Sequence, residues 1–302
     1  MGISESKLVQ WPPSPSPSPP APSPPNPELK EQWRKFDWGQ KEDLKKKLEK
    51  FCLSHDKVKD IKILVVGPIG AGKSSFINSL DSAFLGRISS RALVNSSASD
   101  HSFTKNLKGF SIRSGKKTLP FVFKDIMGLE PKEFEGSHTE DIISAVFGHV
   151  TDGYKFNEEK PLTDGDQQFN QNPNLSDQCF CLVYVLPADV FQYTDDRLID
   201  KLKIIRQRIS DKGISQVVVM TKMDEACPLV QKDLRKMYTS KKIKEKMEWC
   251  SAKLGVPMTN IFPVKNYHNE IDTDDNIDVL LLKALEQIIQ LADDRLLGSY
   301  SY

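Results

Sequence analysis

Apolar residues arrive along this chain in short continuous runs separated by amphipathic stretches. The runs fall at 61–66 ("IKILVV"), 109–113, 119–125 ("LPFVFKD"), 179–186 ("CFCLVYVL"), 216–221 ("QVVVMT") and 260–264 ("NIFPV"). Their length and richness in Val, Ile and Phe predict six strands. Helical spacing of apolar positions predicts helices over 74–82, 195–212, 228–238, 241–254 and 277–296, and in the fourth Ile243, Met247, Cys250 and Leu254 make the apolar stripe. Ahead of the first strand, "DLKKKLEKFCL" puts Leu44, Leu48, Phe51 and Cys52 on one helical face, with lysines on the solvated one. Strands that are apolar throughout and alternate with helices must be covered on both faces. The expectation is an α/β fold, a doubly wound, mostly parallel sheet of about six strands. The turn signal "RSGKK" between the second and third strands predicts a hairpin and one antiparallel edge. From 148 to 177 runs a polar, Asn/Gln/Asp-rich insertion of little periodicity, expected as a surface loop.

The amino-terminal composition changes the domain picture. "WPPSPSPSPPAPSPPNP" cannot pack and favours polyproline II, either as a semi-rigid tether or as a docking ligand for an SH3 or WW partner. The expected division is a disordered proline-rich tail at 1–32, a lead-in helix at 33–58, a phosphate-loop GTPase domain at 59–297 and a tail at 298–302. Lys plus Arg, 42, nearly cancels Asp plus Glu, 41, so bulk charge gives no reason to expect nucleic acid or an anionic membrane. The first six residues fit M-G-x-x-x-S, and myristoylation of Gly2 would be the one route to a membrane. Five scattered cysteines and the lack of an apolar leader point to reduced thiols and a cytoplasmic protein. The sequons at Asn95 and Asn174 would then stay unmodified.

Chemistry enters with "IKILVVGPIGAGKSSFINSL". Residues 67–74 fit G-x-x-x-x-G-K-S between a predicted strand and a predicted helix, the context that a phosphate-binding loop requires. Gly67, Gly70, Ala71, Gly72 and Ser75 would contribute backbone to the cradle and its helix N-terminus. Lys73 would add a point charge toward the β and γ oxygens, and the Ser74 hydroxyl would ligate Mg²⁺. "FKDIMGLEP" holds D-x-x-G, with Asp125 at a strand end on the magnesium side and Gly128 free to approach a γ-phosphate. In "VVVMTKMDEA", Thr221, Lys222 and Asp224 match [N/T]-K-x-D. Asp224 would accept from guanine N1–H and the 2-amino group, a donor pair that adenine lacks. Thr in the Asn position is expected to loosen support of the phosphate loop. In "FPVKNY", Lys265 or Asn266 would supply a backbone N–H to guanine O6, the register being open. Thr104, just before the second strand, is the chosen switch threonine over magnesium. The implied ligands are GTP or GDP with Mg²⁺.

Leu129 follows the D-x-x-G where Ras-like enzymes carry a water-orienting Gln, and the neighbouring Glu130 carboxylate would repel a γ-phosphate. The sequence offers no catalytic residue. Slow turnover follows unless a nucleotide-dependent dimer or a partner supplies a group; His138 and His149 are the weak local alternatives.

Together, "VVGPIGAGKSSFINSL", "SDHSFTKNL", "FKDIMGLEP", "VVMTKMDEACP" and "FPVKNYHNE" closely resemble the vertebrate interferon-induced protein 44 and 44-like family, over roughly residues 33–296. The resemblance implies an interferon-stimulated cytoplasmic protein of innate antiviral defence with a GTP-binding domain, and a further N-terminal domain in many relatives. By motif it carries the phosphate-loop roles onto Gly67, Gly72, Lys73 and Ser74, the magnesium role onto Asp125 and the base role onto Lys222 and Asp224. Two functions stay open: a slow guanine-nucleotide switch, and a pseudo-GTPase scaffold that recruits an unknown protein partner through its proline-rich arm.

Overall fold

The computed structural model describes residues 26–92, 105–131 and 136–298. Six strands form one sheet in the order β2-β3-β1-β4-β5-β6: β1 is Ile61–Val66, β2 Lys108–Ser114, β3 Lys117–Asp125, β4 Cys181–Pro187, β5 Ser215–Thr221 and β6 Ile261–Pro263. All neighbours pair parallel except β2 with β3, the hairpin that "RSGKK" predicts. Period-two alternation explains why the central strands are apolar throughout. Ile61, Ile63, Val65, Val183, Val185, Val217 and Val219 face one core; Leu64, Val66, Leu182, Tyr184, Leu186, Val218 and Met220 face the other.

The first core is closed by helices α1 (Lys41–Glu49), α2 (Lys73–Leu85) and α8 (Asp275–Gly298). The second is closed by α3 (Thr139–Val146), α4 (Asp196–Ser210) and α7 (Lys241–Leu254), with the short α5 (Met223–Ala226) and α6 (Pro228–Lys232) between β5 and α7. Within α7 the stripe of Ile243, Met247, Cys250 and Leu254 is buried as its spacing requires. Cys179, Cys181, Cys227 and Cys250 are buried and Cys52 is exposed, all as free thiols. Among the described residues no helix is long and apolar enough to cross a membrane.

Four sequence expectations need correction. The predicted helix over 228–238 breaks at Asp233, whose extended backbone (φ −149°) and side chain, accepting from Arg235 N, start a separate 3-10 turn at Leu234–Tyr238. α3 was not anticipated. The lead-in is helical only over α1, so Leu44 and Leu48 are buried while Phe51 and Cys52 lie beyond the helix end. Upstream of it, Leu29 N and Trp33 N bond to Thr239 O and Tyr238 O, and the rings of Trp33, Phe36 and Trp38 gather round Tyr238 with centroids 4.7 to 6.4 Å away. Finally, the 148–177 insertion is no plain surface loop. Val150, Tyr154, Phe156 and Leu162 are buried, and its backbone pairs with 105–107 through Leu107 N to Tyr154 O and Phe156 N to Lys105 O. Its anchors are irregularly spaced, so no period betrays them. Gly2, Thr104 and the proline-rich stretch through Pro25 lie outside the described residues.

Candidate functional site

The loop after β1 opens at the strand ends beside β4, where strand order reverses and an open α/β sheet leaves a crevice. Gly67 lies so close to β4 that a Cβ would stand 2.1 Å from Val185 O. Gly72 caps α2 with φ 89°, a left-handed conformation that favours glycine, and its own Cβ would stand 2.8 Å from Asn266 Nδ2. The backbone therefore curls over the N-terminus of α2, where unsatisfied N–H groups and the helix dipole favour an anion. Gly70 (φ 72°) and Ala71 lie in the same loop, and Ser75 sits in the first turn of α2. Lys73 is buried, and Nζ donates to Gly67 O at 3.1 Å and to Pro68 O at 3.0 Å. Burial pulls its ammonium below the ordinary value, while Asp125 and Glu130 oppose that shift.

At the second residue of α2, Ser74 Oγ donates to Asp125 Oδ2 at 2.6 Å. β3 and α2 thus bring a hydroxyl and a carboxylate together at the mouth of the loop, the donor set that Mg²⁺ takes alongside phosphate and water oxygens. Beyond Asp125 the chain is stitched to the phosphate loop. Leu129 N donates to Gly67 O at 3.0 Å, Leu129 bridges Pro68 and Gly136, and a Cβ on Gly128 would stand 2.5 Å from Ile69 Cγ1 and 2.8 Å from Ile69 N. Ser137 closes the return, with N to Gly128 O at 3.0 Å and Oγ to Met127 O at 2.6 Å. The Leu129 side chain is fully buried in the core on the α3 side of the sheet.

At the β5 exit, Thr221 is fully buried, and Oγ1 donates to Ala71 O at 2.6 Å. The expectation of looser support is corrected, since the threonine itself reaches the loop. Lys222 takes φ 56°, the one positive φ outside glycine among the described residues, which turns the chain sharply into α5. Asp224 is partly exposed, with Oδ2 3.8 Å from Lys265 Nζ. Lys265 also pairs with Glu270 at 2.5 Å, while Asn266 Nδ2 donates to Gly72 O at 3.1 Å. The two candidates after β6 therefore divide: Lys265 serves the carboxylates and Asn266 serves the phosphate loop. Although burial opposes it, Glu270 is held down at about 2 by the His268 N–H and Lys265. The role of the Asn266 side chain has no signal in the sequence, because the loop carbonyl it meets is 194 positions away.

The two histidines do not join this cluster. His138 Nε2 contacts Glu158 O at 3.0 Å, and His149 contacts Asn170 O at 2.8 Å through Nδ1, stacked on Phe169 with centroids 4.7 Å apart. Both serve the insertion.

Fold and loop together define an α/β protein of the phosphate-loop class. Comparison with protein-family models finds no match. Human interferon-induced protein 44-like is 35% identical over 241 residues, 79% of this chain and 53% of that protein. Human interferon-induced protein 44 is 35% identical over 239 residues (78% and 53%), and its mouse counterpart is 32% identical over 241 (79% and 56%). Over 79% of its length, then, the chain is a relative of the interferon-induced 44 and 44-like proteins, as the motifs suggested. It spans about half the length of the curated relatives it matches. Among solved structures, Toc33 from Arabidopsis thaliana in complex with GDP and Mg²⁺ is 17% identical, covering 85% of this chain and 92% of that one at a TM-score of 0.48. A probable GTP-binding protein engB is 12% identical, covering 77% and 99% at 0.42. At those scores the likeness carries nothing about the chemistry of this chain.

Proposed function

We propose that this chain is a guanine-nucleotide switch of the interferon-induced innate antiviral response, slow in hydrolysis, acting in the cytoplasm, with residues 59–297 as its GTPase domain. The observation that carries the reading is convergence: the 67–74 loop, the Ser74–Asp125 pair and the Thr221 to Asp224 stretch come from three different strand ends and meet through hydrogen bonds at one end of the sheet. Gly67 to Ser75 cradle the phosphates, with Lys73 moving from loop carbonyls to phosphate oxygens. Ser74 and Asp125 hold Mg²⁺, with Thr104 as a third oxygen from the 93–104 segment. Lys222 covers the base, and Asp224 reads it by accepting from N1–H and the 2-amino group. Bound magnesium neutralises charge on the phosphates. A guanine nucleotide is thus the small-molecule partner, and nucleic acid is not expected.

Slow turnover rests on Leu129, whose buried side chain leaves the site without a water-orienting group from that position. A nucleotide-dependent dimer or a protein partner would then supply the missing group. The relatives' names, which say interferon-induced, support the immune assignment. A second reading, a pseudo-GTPase scaffold with its proline-rich arm binding an SH3 or WW partner, gains from the Lys265 contact, because Lys265 lies 3.8 Å from the carboxylate that must read the base.

Calorimetric titration of GTP, GDP, a non-hydrolysable GTP analogue and ATP with magnesium, beside Lys73→Ala, separates the two readings. Guanine binding lost in Lys73→Ala, followed by slow single-turnover hydrolysis, supports the switch. No guanine binding by folded protein would leave the scaffold.

A further inference from the structure

The loop 264–270 ties three elements together. Asn266 Nδ2 donates to Gly72 O at 3.1 Å, and the glycine leaves no room for a side chain between them. Gly72 O, which also accepts from Phe76 N at 2.8 Å, would repel an amide oxygen placed 3.1 Å away, so Nδ2 faces it and Asn266 Oδ1 is left buried with no partner among the described residues. A buried acceptor of this kind is costly until a donor arrives, and a nucleoside carries N–H and O–H donors. One residue on, Tyr267 N donates to Ser79 Oγ at 2.9 Å, which pins the loop to α2. The Tyr267 hydroxyl donates to Asp278 Oδ1 at 2.6 Å, and the buried Asp278 places Oδ2 2.8 Å from Lys41 Nζ on α1. A chain of contacts therefore runs from the lead-in helix to the phosphate loop, passing from Tyr267 to Asn266 through the backbone.

We propose that Asn266 is a positioning residue for the phosphate loop and that Lys41, through Asp278 and Tyr267, holds it there, so that the lead-in helix sets nucleotide affinity from a distance. The inference rests on the guanine-nucleotide reading above. Its physical basis is the buried carboxylate. Without Lys41, the Asp278 charge has lost its counter-ion in a site closed to water, and its side chain must shift. That shift removes one of the hydrogen bonds that aim Tyr267, whose hydroxyl also contacts Asp274 O at 3.1 Å and accepts from Asp274 N at 2.8 Å, and Asn266 is its immediate neighbour. With Asn266 displaced, Thr221 at the end of β5 still braces the loop through Ala71 O, and the Gly72 carbonyl loses its side-chain donor.

The test is a titration of the full chain with magnesium and GDP, alongside Asn266→Ala, Tyr267→Phe, Lys41→Met, Lys41→Arg and the Lys41→Met/Asn266→Ala double variant, with a melting temperature for each. Binding is expected to weaken about tenfold in Asn266→Ala and about threefold in Tyr267→Phe and Lys41→Met, with Lys41→Arg returning to within about twofold. In the double variant Lys41→Met should add nothing to the affinity loss, because the residue it holds is gone, while the two drops in melting temperature add. If Lys41→Met does not fold, Tyr267→Phe carries the test, since it removes one oxygen and keeps the ring. A Lys41→Met that lowers the melting temperature and leaves affinity unchanged overturns the inference, as do affinity losses that multiply in the double variant. Wild-type chain that binds no GDP overturns the nucleotide reading and this inference with it; wild-type binding matched by every variant overturns the inference alone.

Discussion

Leu129 shows how a single position decides what the site can do. Its side chain lies in the core and its backbone is bridged to Pro68 and Gly136, so residue identity there controls packing before it controls chemistry. Leu129→Gln is therefore expected to leave single-turnover hydrolysis unaccelerated and to destabilise the fold by about 2–4 kcal/mol, as an amide enters an apolar site. An accelerated rate with unchanged stability would show that the side chain reaches the nucleotide. A second residue-scale effect concerns Asp141 in the first turn of α3. Burial lifts its carboxyl from the ordinary 3.8 to about 6, against the Leu162 N–H that Oδ1 accepts and the nearby His138, with Glu140 and Asp166 adding a smaller lift. The folded state then holds a proton that the unfolded state has released. Stability should fall as pH rises from about 4 to about 6, and Asp141→Asn should flatten that slope in urea unfolding followed against pH.

Among the elements, the phosphate loop and the D-x-x-G loop behave as one unit, zipped by Leu129 N to Gly67 O and by contact between Gly128 and Ile69. Gly128→Ala drives a Cβ to 2.8 Å from a backbone nitrogen, so the loops must part. The expected outcome is at least a tenfold loss of nucleotide affinity at a stability cost of about 1–3 kcal/mol, read by titration and thermal unfolding. Affinity unchanged in Gly128→Ala would mean that the loops are not coupled. Local rules reached these elements well. The continuous runs around Val65, Val183 and Val219 announced strands covered on both faces, and "RSGKK" announced the hairpin. They failed where the determinant is a cap or a tertiary contact. Asp233 breaks the 228–238 helix through a local cap to Arg235 N that apolar periodicity does not register. In the insertion, Tyr154 and Phe156 are anchored by backbone pairing to 105–107, which no spacing along the insertion encodes.

For the molecule as a whole, residues 26–38 strap the molecule at Tyr238 and the start of β6, which treating the lead-in as one helix concealed. Arg34 reaches Ile261 O at 2.7 Å and also Met258 O, and its guanidinium lies 5.2 Å from the Trp33 ring centroid. Arg34→Ala should cost about 1–3 kcal/mol in urea unfolding, with the urea dependence unchanged. No loss would mean that the strap is merely laid on the surface. The candidate site was legible because phosphate cradles need glycines and an N-terminal helix turn in fixed order, whereas the chain of contacts from Lys41 to Asn266 joins residues more than 200 positions apart. Guanine recognition by Asp224 remains the claim on which the account turns. Replacing that carboxylate by an amide keeps one acceptor for N1–H and puts a donor where guanine presents its 2-amino group but xanthine presents a carbonyl. The direct measurement is titration of wild type and Asp224→Asn with GDP and xanthosine diphosphate in magnesium. The prediction is that wild type prefers GDP and that Asp224→Asn loses about 100-fold toward GDP while gaining toward xanthosine diphosphate. Equal affinities for both ligands in both proteins, or no binding by folded wild type, would contradict it.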